Sequence, residues 1–365
     1  MKSSIDELLT LLNKDSEEFS VVVMPDFFLD RLIMLKLAPT EFITEIENVA
    51  KRKGGSIDGI NQTDLRGGNA VNTASALAAL GVKVTPIVCT NKHGLQQLNF
   101  FLKPLGIDMS HINIMSKASL TTALELKGEG NNTNVMLRDL GSLADFGPAD
   151  LSDKDYELIK NADYVCVFNW AGTRNHGTEL AQAVFHTVKK LGKGKTYLDT
   201  ADPTPNCEKI PEFMETILKS RLVDVLSSNE NEAVTYAKQL RGDFRAELNT
   251  LSFEELAMNS ARFLADQLSA RIDFHTTRFS ATFNGGNQVV VPAFNVKTLR
   301  ATGAGDAWNA GNILADVRHL SDECRLTLAN AVAACYLSNL NGEHPSREQV
   351  MHFIKESNAR QFNSH

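Results

Sequence analysis

The chain has 365 residues, with 37 Lys and Arg against 44 Asp and Glu and a formal net charge of −7. No basic run appears, which excludes a nucleic-acid surface, and five irregularly spaced cysteines form neither a zinc motif nor a disulfide framework. The length suffices for one large α/β domain, alone or with a small appendage.

The first twenty residues set Asp6, Glu7, Asp15, Glu17 and Glu18 among leucines, a pattern for an amphipathic helix and not a signal peptide. The apolar run at 20–37 contains Asp26, Asp30 and Arg31 and is too polar to span a bilayer. A soluble, cytoplasmic protein is expected, and the scattered cysteines agree.

Short apolar or β-branched runs predict strands at 19–24, 84–89, 163–168, 195–199, 222–227 and 272–276. Helical patterns fall at 93–104, 150–161, 177–190, 208–219, 229–240, 252–269, 304–317, 322–339 and 346–357. Strand–helix alternation across 160–240 implies parallel strands with helices on both faces. Ligands in such sheets bind beyond the carboxyl ends of the strands, where Asn169, Asp199 and Asn229 fall. The stretches 28–66 and 110–140 fit that sheet poorly, and the first holds a helix-like run at 40–51. Gly192-Lys193-Gly194-Lys195-Thr196 imitates the end of a phosphate-binding loop, but it precedes a strand instead of opening a helix.

Chemistry concentrates in Thr302-Gly303-Ala304-Gly305-Asp306, after a β-leaning run at 294–299 and before a long helical pattern. Glycines at a helix start allow several N–H groups to point at one anion, and the macrodipole adds positive potential. Asp306 in the same turn would repel a phosphate, so its better use is to take a proton from a hydroxyl beside the anion hole. The plain alternative is an ordinary N-cap. Farther upstream, Gly67-Gly68-Asn69-Ala70-Val71-Asn72 opens an Ala-rich helix that ends at Gly81. Asn69 and Asn72 share one face of its first turn and can offer amides to a polyol; Asn69 as a simple cap is the alternative.

These segments together resemble the ribokinase-like (phosphofructokinase-B type) family of carbohydrate and nucleoside kinases. Ser228-Asn229-Glu230-Asn231-Glu232 resembles the family's Asn-x-x-Glu motif, and Pro25–Asp30 resembles its first-strand element. The resemblance implies an α/β fold: a central, mostly parallel sheet flanked by helices on both faces, and a small β-sheet lid. The whole of 1–365 would be one kinase domain, with the lid at about 28–66 and 110–140. It implies ATP-dependent phosphorylation of a sugar, polyol or sugar acid, with Mg²⁺. Asp306 would be the base, with Gly303, Ala304 and Gly305 as the anion hole. Asp30, Gly68, Asn69, Asn72 and Asn169 would hold the acceptor, with Asp26 as runner-up to Asp30. Asn229, Thr276, Arg278, Gly303 and Gly305 would meet the nucleotide, and Glu232 with Asn229 would organise the metal. Self-association as a homodimer is left open.

Three departures from the family pattern bear on the donor side. Arg300 replaces an aspartate that helps hold a monovalent cation; Thr276–Ala281 lacks the glycines of the nucleotide loop; Thr90–Gly94 is a reduced form of another element. Two alternatives follow. One is a nucleoside kinase with a base slot drawn from Phe27, Phe28, Phe42 and Trp170. The other is a catalytically degenerate ligand-binding relative.

Overall fold

The computed structural model describes residues 2–13, 19–128, 133–241, 251–300 and 302–363. Ala301 of the glycine motif, Asp15, Glu17 and Glu18 of the first segment, and 129–132 lie outside them. The strands are β1 (Ser20–Met24), β2 (Phe28–Met34), β3 (Asn61–Gly67), β4 (Lys83–Pro86), β5 (Val88–Thr90), β6 (Ile112–Ile114) and β7 (Ser119–Leu126). They continue with β8 (Thr133–Asp139), β9 (Tyr164–Phe168), β10 (Lys195–Asp199), β11 (Val225–Ser228), β12 (Arg271–His275), β13 (Phe279–Asn284) and β14 (Asn287–Pro292). The helices are α1 (Lys2–Asn13), α2 (Pro39–Lys51), α3 (Asn69–Ala79), α4 (Lys92–Leu102), α5 (Asp153–Asn161) and α6 (Gly177–Leu191). After them come α7 (Ile210–Phe213), α8 (Glu230–Leu240), α9 (Phe253–Gln267), α10 (Ala304–Val317), α11 (Asp322–Leu337) and α12 (Arg347–Asn363).

Eight strands form one sheet in the order β14-β13-β12-β11-β10-β9-β1-β4. The six from β12 to β4 are parallel, and the two at the β14 edge are antiparallel. Central strands such as β1 (Ser-Val-Val-Val-Met) and β9 (Tyr-Val-Cys-Val-Phe) read as unbroken apolar runs because helices cover both faces. One core packs α6, α8 and α9 on one face, through Leu180, Val184, Ala233, Tyr236, Leu256 and Leu264. The other packs α3, α10 and α11 on the opposite face, through Ala74, Leu77, Ala310, Ile313, Leu328 and Val332. The chain leaves β1 for β4 on one side and later adds β9 on the other, so strand order reverses beside β1. Ligand crevices form at such reversals.

A second sheet, β3-β2-β7-β8, takes its strands from the two stretches that fit the large sheet poorly. Helix α2 joins β2 to β3 and has no fully buried residue; its start is boxed by the Ala38 N–H donating to Glu41 Oε2 at 2.8 Å.

Several predicted elements change. The strand expected at 84–89 splits, because Pro86 has no N–H to continue the ladder; Val88–Thr90 pairs instead with Ile112–Ile114, which therefore stays out of the second sheet. The strand expected at 222–227 begins only at Val225, because the Asp224 carboxylate accepts the Thr196 N–H at 2.8 Å. The helix expected at 208–219 breaks into a 3₁₀ turn, the short α7 around Pro211, and a wider turn at Met214–Leu218. Residues 294–299 form no strand. The β13–β14 hairpin was not expected, yet Gly285 and Gly286 carry positive φ of 55° and 85°, as a two-residue hairpin turn requires.

Helices α10 and α11 meet most closely at Gly311, where a Cβ would lie 2.8 Å from the Ala329 Cα. Gly311→Val should therefore force the helices apart and cost about 1–3 kcal/mol. Urea unfolding measures this, and an unchanged midpoint would show that the pair has slack.

Candidate active site

The carboxyl ends of β1, β9, β10, β11 and β12 deliver Asp26, Asn169, Asp199, Asn229 and His275 to one side of the large sheet. Helices α3 and α10 start at the same place. Each begins after a glycine of positive φ, 93° at Gly68 and 92° at Gly303. A Cβ at Gly68 would sit 2.8 Å from the Asp26 carbonyl oxygen, and one at Gly303 would sit 2.6 Å from the Tyr336 hydroxyl.

Asp306 is buried in the first turn of α10. Its Oδ1 accepts from Asn69 Nδ2 and its Oδ2 from Asn72 Nδ2, each at 2.9 Å. Burial drives its carboxyl well above the usual range against the Asn72 bond, and the charges of Asp199 and Asp26 push the same way. The two amides expected to face a polyol are thus spent on orienting this carboxylate. Asn69 is also not the cap of α3: Gly68 holds that position, and Asp26 supplies the missing acceptor, taking the N–H groups of Asn69 and Ala70 at 2.8 Å each. Asn169 is likewise engaged, donating to Asp26 at 2.8 Å and accepting from the Gly172 N–H at 3.1 Å. Its amide nitrogen braces Asp26 and its oxygen closes the following turn, so in this structure both amide atoms already have partners.

Asp30 behaves differently. It lies on β2 between Leu65 of β3 and Thr121 of β7, and its buried Oδ1 has no hydrogen-bond partner. A Cβ on Gly67 would fall 2.0–2.4 Å from its carboxyl atoms, so the first glycine of the pair makes room for this side chain. Burial raises the carboxyl to about 6, with Thr121, Arg138 and Arg300 pulling it down.

On the far side of α10 opens a cavity of about 640 Å³, within the range of small-molecule sites. Ala304, Gly305 and Trp308 of α10, Asn229, His275 and Thr276, and the apolar Ala333, Ala334 and Leu337 of α11 wall it. Of the expected nucleotide residues, Asn229, Thr276, Arg278 and Gly305 line it, and Gly303 does not. Two side chains are already committed. The Thr276 hydroxyl accepts the N–H groups of Arg278 and Phe279 and closes the turn between β12 and β13. The Arg278 guanidinium pairs with Glu254 at 2.9 Å and is 75% exposed.

Asn229 and Glu232 form a reciprocal capping box at the start of α8, with bonds of 3.0 and 3.1 Å. Glu232 is nevertheless buried, and burial together with the Asp199 charge lifts its carboxyl well above the usual range. Two buried carboxylates whose charges repel fit a divalent ion held partly through water and phosphate. Among the described residues, no three His, Cys, Asp or Glu side chains converge to bind a metal by themselves.

The glycine motif exposed Asp306 in the sequence, but no local pattern exposed the capping role of Asp26 or the cavity-facing His275. Of the residues expected for a base slot, Phe27, Phe28 and Trp170 are core residues, with Trp170 packed on Phe213 at 4.4 Å, and Phe42 is half-buried on α2. No described helix is long and apolar enough to cross a membrane.

Residues 40–349 match the model of the pfkB family carbohydrate kinases. A ribokinase of Haemophilus influenzae is 23% identical over 309 residues, spanning 83% of this chain and 92% of that protein. The structure of an Arabidopsis thaliana ribokinase complexed with ribose and ATP superposes with a TM-score of 0.69 at 19% identity, covering 93% of this chain and 99% of that one. An adenosine kinase from Sinorhizobium meliloti gives 0.68 at 15% identity, over 93% and 100%.

Asp30 offers a direct check on this geometry. Its folded value of about 6 lies above the unfolded value near 3.8, so the folded state binds its proton more tightly and stability falls as pH rises through that window. Asp30→Asn should remove that fall and stabilise the fold above pH 6 by at most about 3 kcal/mol, seen as a higher melting temperature. Identical pH profiles of melting for the two proteins would mean that the carboxylate is not buried as described.

Proposed function

The chain belongs to the pfkB family of carbohydrate kinases, and we propose that it transfers the terminal phosphoryl group of ATP to a hydroxyl of a small sugar, polyol or sugar acid. The observation that carries this reading is Asp306, oriented by two amides in the first turn of α10, whose residues Ala304, Gly305 and Trp308 line the 640 Å³ cavity; the unpartnered Asp30 Oδ1 adds a second buried carboxyl oxygen.

The acceptor lies against Asp30, whose free oxygen takes hydroxyl hydrogen bonds, near Gly67 and Gly68. Asp306 removes the proton of the reacting hydroxyl, and its burial raises its basicity toward the working pH. The acceptor oxygen bonds to the terminal phosphorus, the bond to the leaving diphosphate breaks, and ADP departs carrying that electron pair. N–H groups of Gly303, Ala304 and Gly305 meet the charge on the phosphoryl oxygens, since the first N–H groups of a helix lack intrahelical acceptors. The nucleotide fills the cavity with its base against Ala333, Ala334 and Leu337.

Glu232, Asp199 and Asn229 are the residues that would hold Mg²⁺, which when bound neutralises phosphate charge. We read 1–365 as one kinase domain and the second sheet, from about 28–66 and 110–140, as a lid that excludes water from the acceptor. A sugar, polyol or sugar acid is favoured over a nucleoside acceptor because three of the four residues expected to wall a base slot, Phe27, Phe28 and Trp170, are in the core.

A coupled assay of ADP release with ATP and Mg²⁺, over sugars, polyols, sugar acids and nucleosides, tests the reading. Turnover with one of the first three classes is expected, falling by about two to four orders of magnitude in Asp306→Asn. Near-normal turnover in that variant overturns the base assignment, and a nucleoside as the sole acceptor overturns the substrate class.

A further inference from the structure

We infer that His275 binds phosphate in the donor site, touching the terminal phosphoryl group of a nucleoside triphosphate at the start of α10. The inference rests on the kinase reading above and adds a residue that the glycine motif does not contain.

His275 is the last residue of β12, and its ring stacks on Trp308 of α10 with centroids 4.8 Å apart and planes 25° apart. Trp308 is itself fixed, its Nε1 donating to Ser280 Oγ at 2.9 Å and Asn330 Oδ1 at 3.0 Å. The imidazole is therefore held in one orientation. Its Nε2 would lie 3.4 Å from a Cβ built on Gly305, which places that nitrogen at the first turn of α10. His275, Ala304 and Gly305 border the same cavity.

Neither ring nitrogen makes a hydrogen bond among the described residues, and Nδ1 is buried without a partner. A half-buried histidine with a purely structural task would satisfy the nitrogen that is cut off from water, because an unmet polar group in the interior is costly. Stacking on Trp308 alone does not call for nitrogens at all. The nearby carboxylates do not claim them: Asp273 is taken by Arg271 and Arg325, and Asp199 accepts from Asn309.

The ligand chemistry follows from the neighbours. Nε2 lies beside a helix N-terminus, where anions bind, and Gly305 directly precedes Asp306. An anionic group that touches both Nε2 and the Gly305 N–H is thus next to the base, which selects the terminal phosphoryl over the inner ones. Burial keeps the ring neutral in the free protein, against the pull of Asp199 and Asp273.

The test is calorimetric titration of the full chain with Mg²⁺ and either ADP or the non-hydrolysable β,γ-imido analogue of ATP. His275→Phe keeps the stack on Trp308 and removes both nitrogens. The variant should bind the triphosphate analogue about tenfold more weakly, equivalent to ~1.4 kcal/mol, while ADP binding changes less than about threefold and the melting temperature does not fall. His275→Gln, whose amide reaches toward the Nε2 position, should recover most of the loss. Equal weakening toward both nucleotides, or no weakening, overturns the assignment. If His275→Phe does not fold, His275→Asn, which leaves nothing at the Nε2 position, answers the same question. Failure of the unmodified protein to bind either nucleotide overturns the donor reading itself, and this inference with it.

Discussion

At the reversal point of the large sheet, one carboxylate joins three segments that are distant in sequence. Asp26 follows β1, accepts two backbone N–H groups at the start of α3, and accepts the amide of Asn169 after β9. Helix N-termini favour negative charge and need acceptors, so an aspartate brought in from another strand serves α3 as a cap that Gly68 cannot provide. This arrangement frees the side chains of Asn69 and Asn72. Capping done from outside lets both amides reach across to Asp306, and the orientation of Asp306 therefore depends on Asp26.

Glycine enters that arrangement for steric reasons at particular places. Gly68 lets α3 begin directly against the Asp26 backbone, and Gly303 lets α10 begin against the Tyr336 hydroxyl. Gly67 leaves the volume that the Asp30 carboxyl occupies. With the helix starts seated this way, short asparagine side chains bridge them, from Asn69 and Asn72 to Asp306.

The sequence revealed most where local chemistry and tertiary role coincide. Unbroken apolar strands, the Ala-rich α3 and the Gly303–Asp306 turn each carry a signal within a dozen residues. Residues whose role comes from distant partners are not legible locally. Asp26 looks like a turn residue until α3 is seen above it, and Asn169 looks free until Asp26 and Gly172 take its amide. Arg278 borders the cavity, but its pairing with Glu254 of α9 depends on a partner 24 residues away. A histidine ending a strand has no pattern of its own; the unmet Nδ1 of His275 exists only once Trp308 and the cavity are in place. The β13–β14 hairpin is different, since Gly285-Gly286 is a turn signal in the sequence itself.

Helix α10 states the division between support and function in its own two ends. Asp316, in its last turn, sits where the macrodipole disfavours a carboxylate, and it is paired accordingly with Arg271 at 2.7 Å, Lys195 at 3.0 Å and the Tyr164 hydroxyl. Against its burial, those cations hold its carboxyl below the usual range. Its contribution to stability is present above the unfolded value and is lost as pH falls through the folded one. Asp306, in the first turn, has the favourable end of the dipole, yet it is hydrogen-bonded by amides and not paired with a cation, and burial pushes its carboxyl upward. Burial raises the Glu232 carboxyl as well. A fold that pairs Asp273 and Asp316 directly with arginine and lysine gives Asp26, Asp30, Asp306 and Glu232 no such ion pair among the described residues, Arg138 and Arg300 acting on Asp30 only from a distance. Uncompensated buried charge lowers stability, so it persists where a ligand, a metal or a proton completes it. The concentration of that charge around the mouth of α10 is the physical reason to place catalysis there.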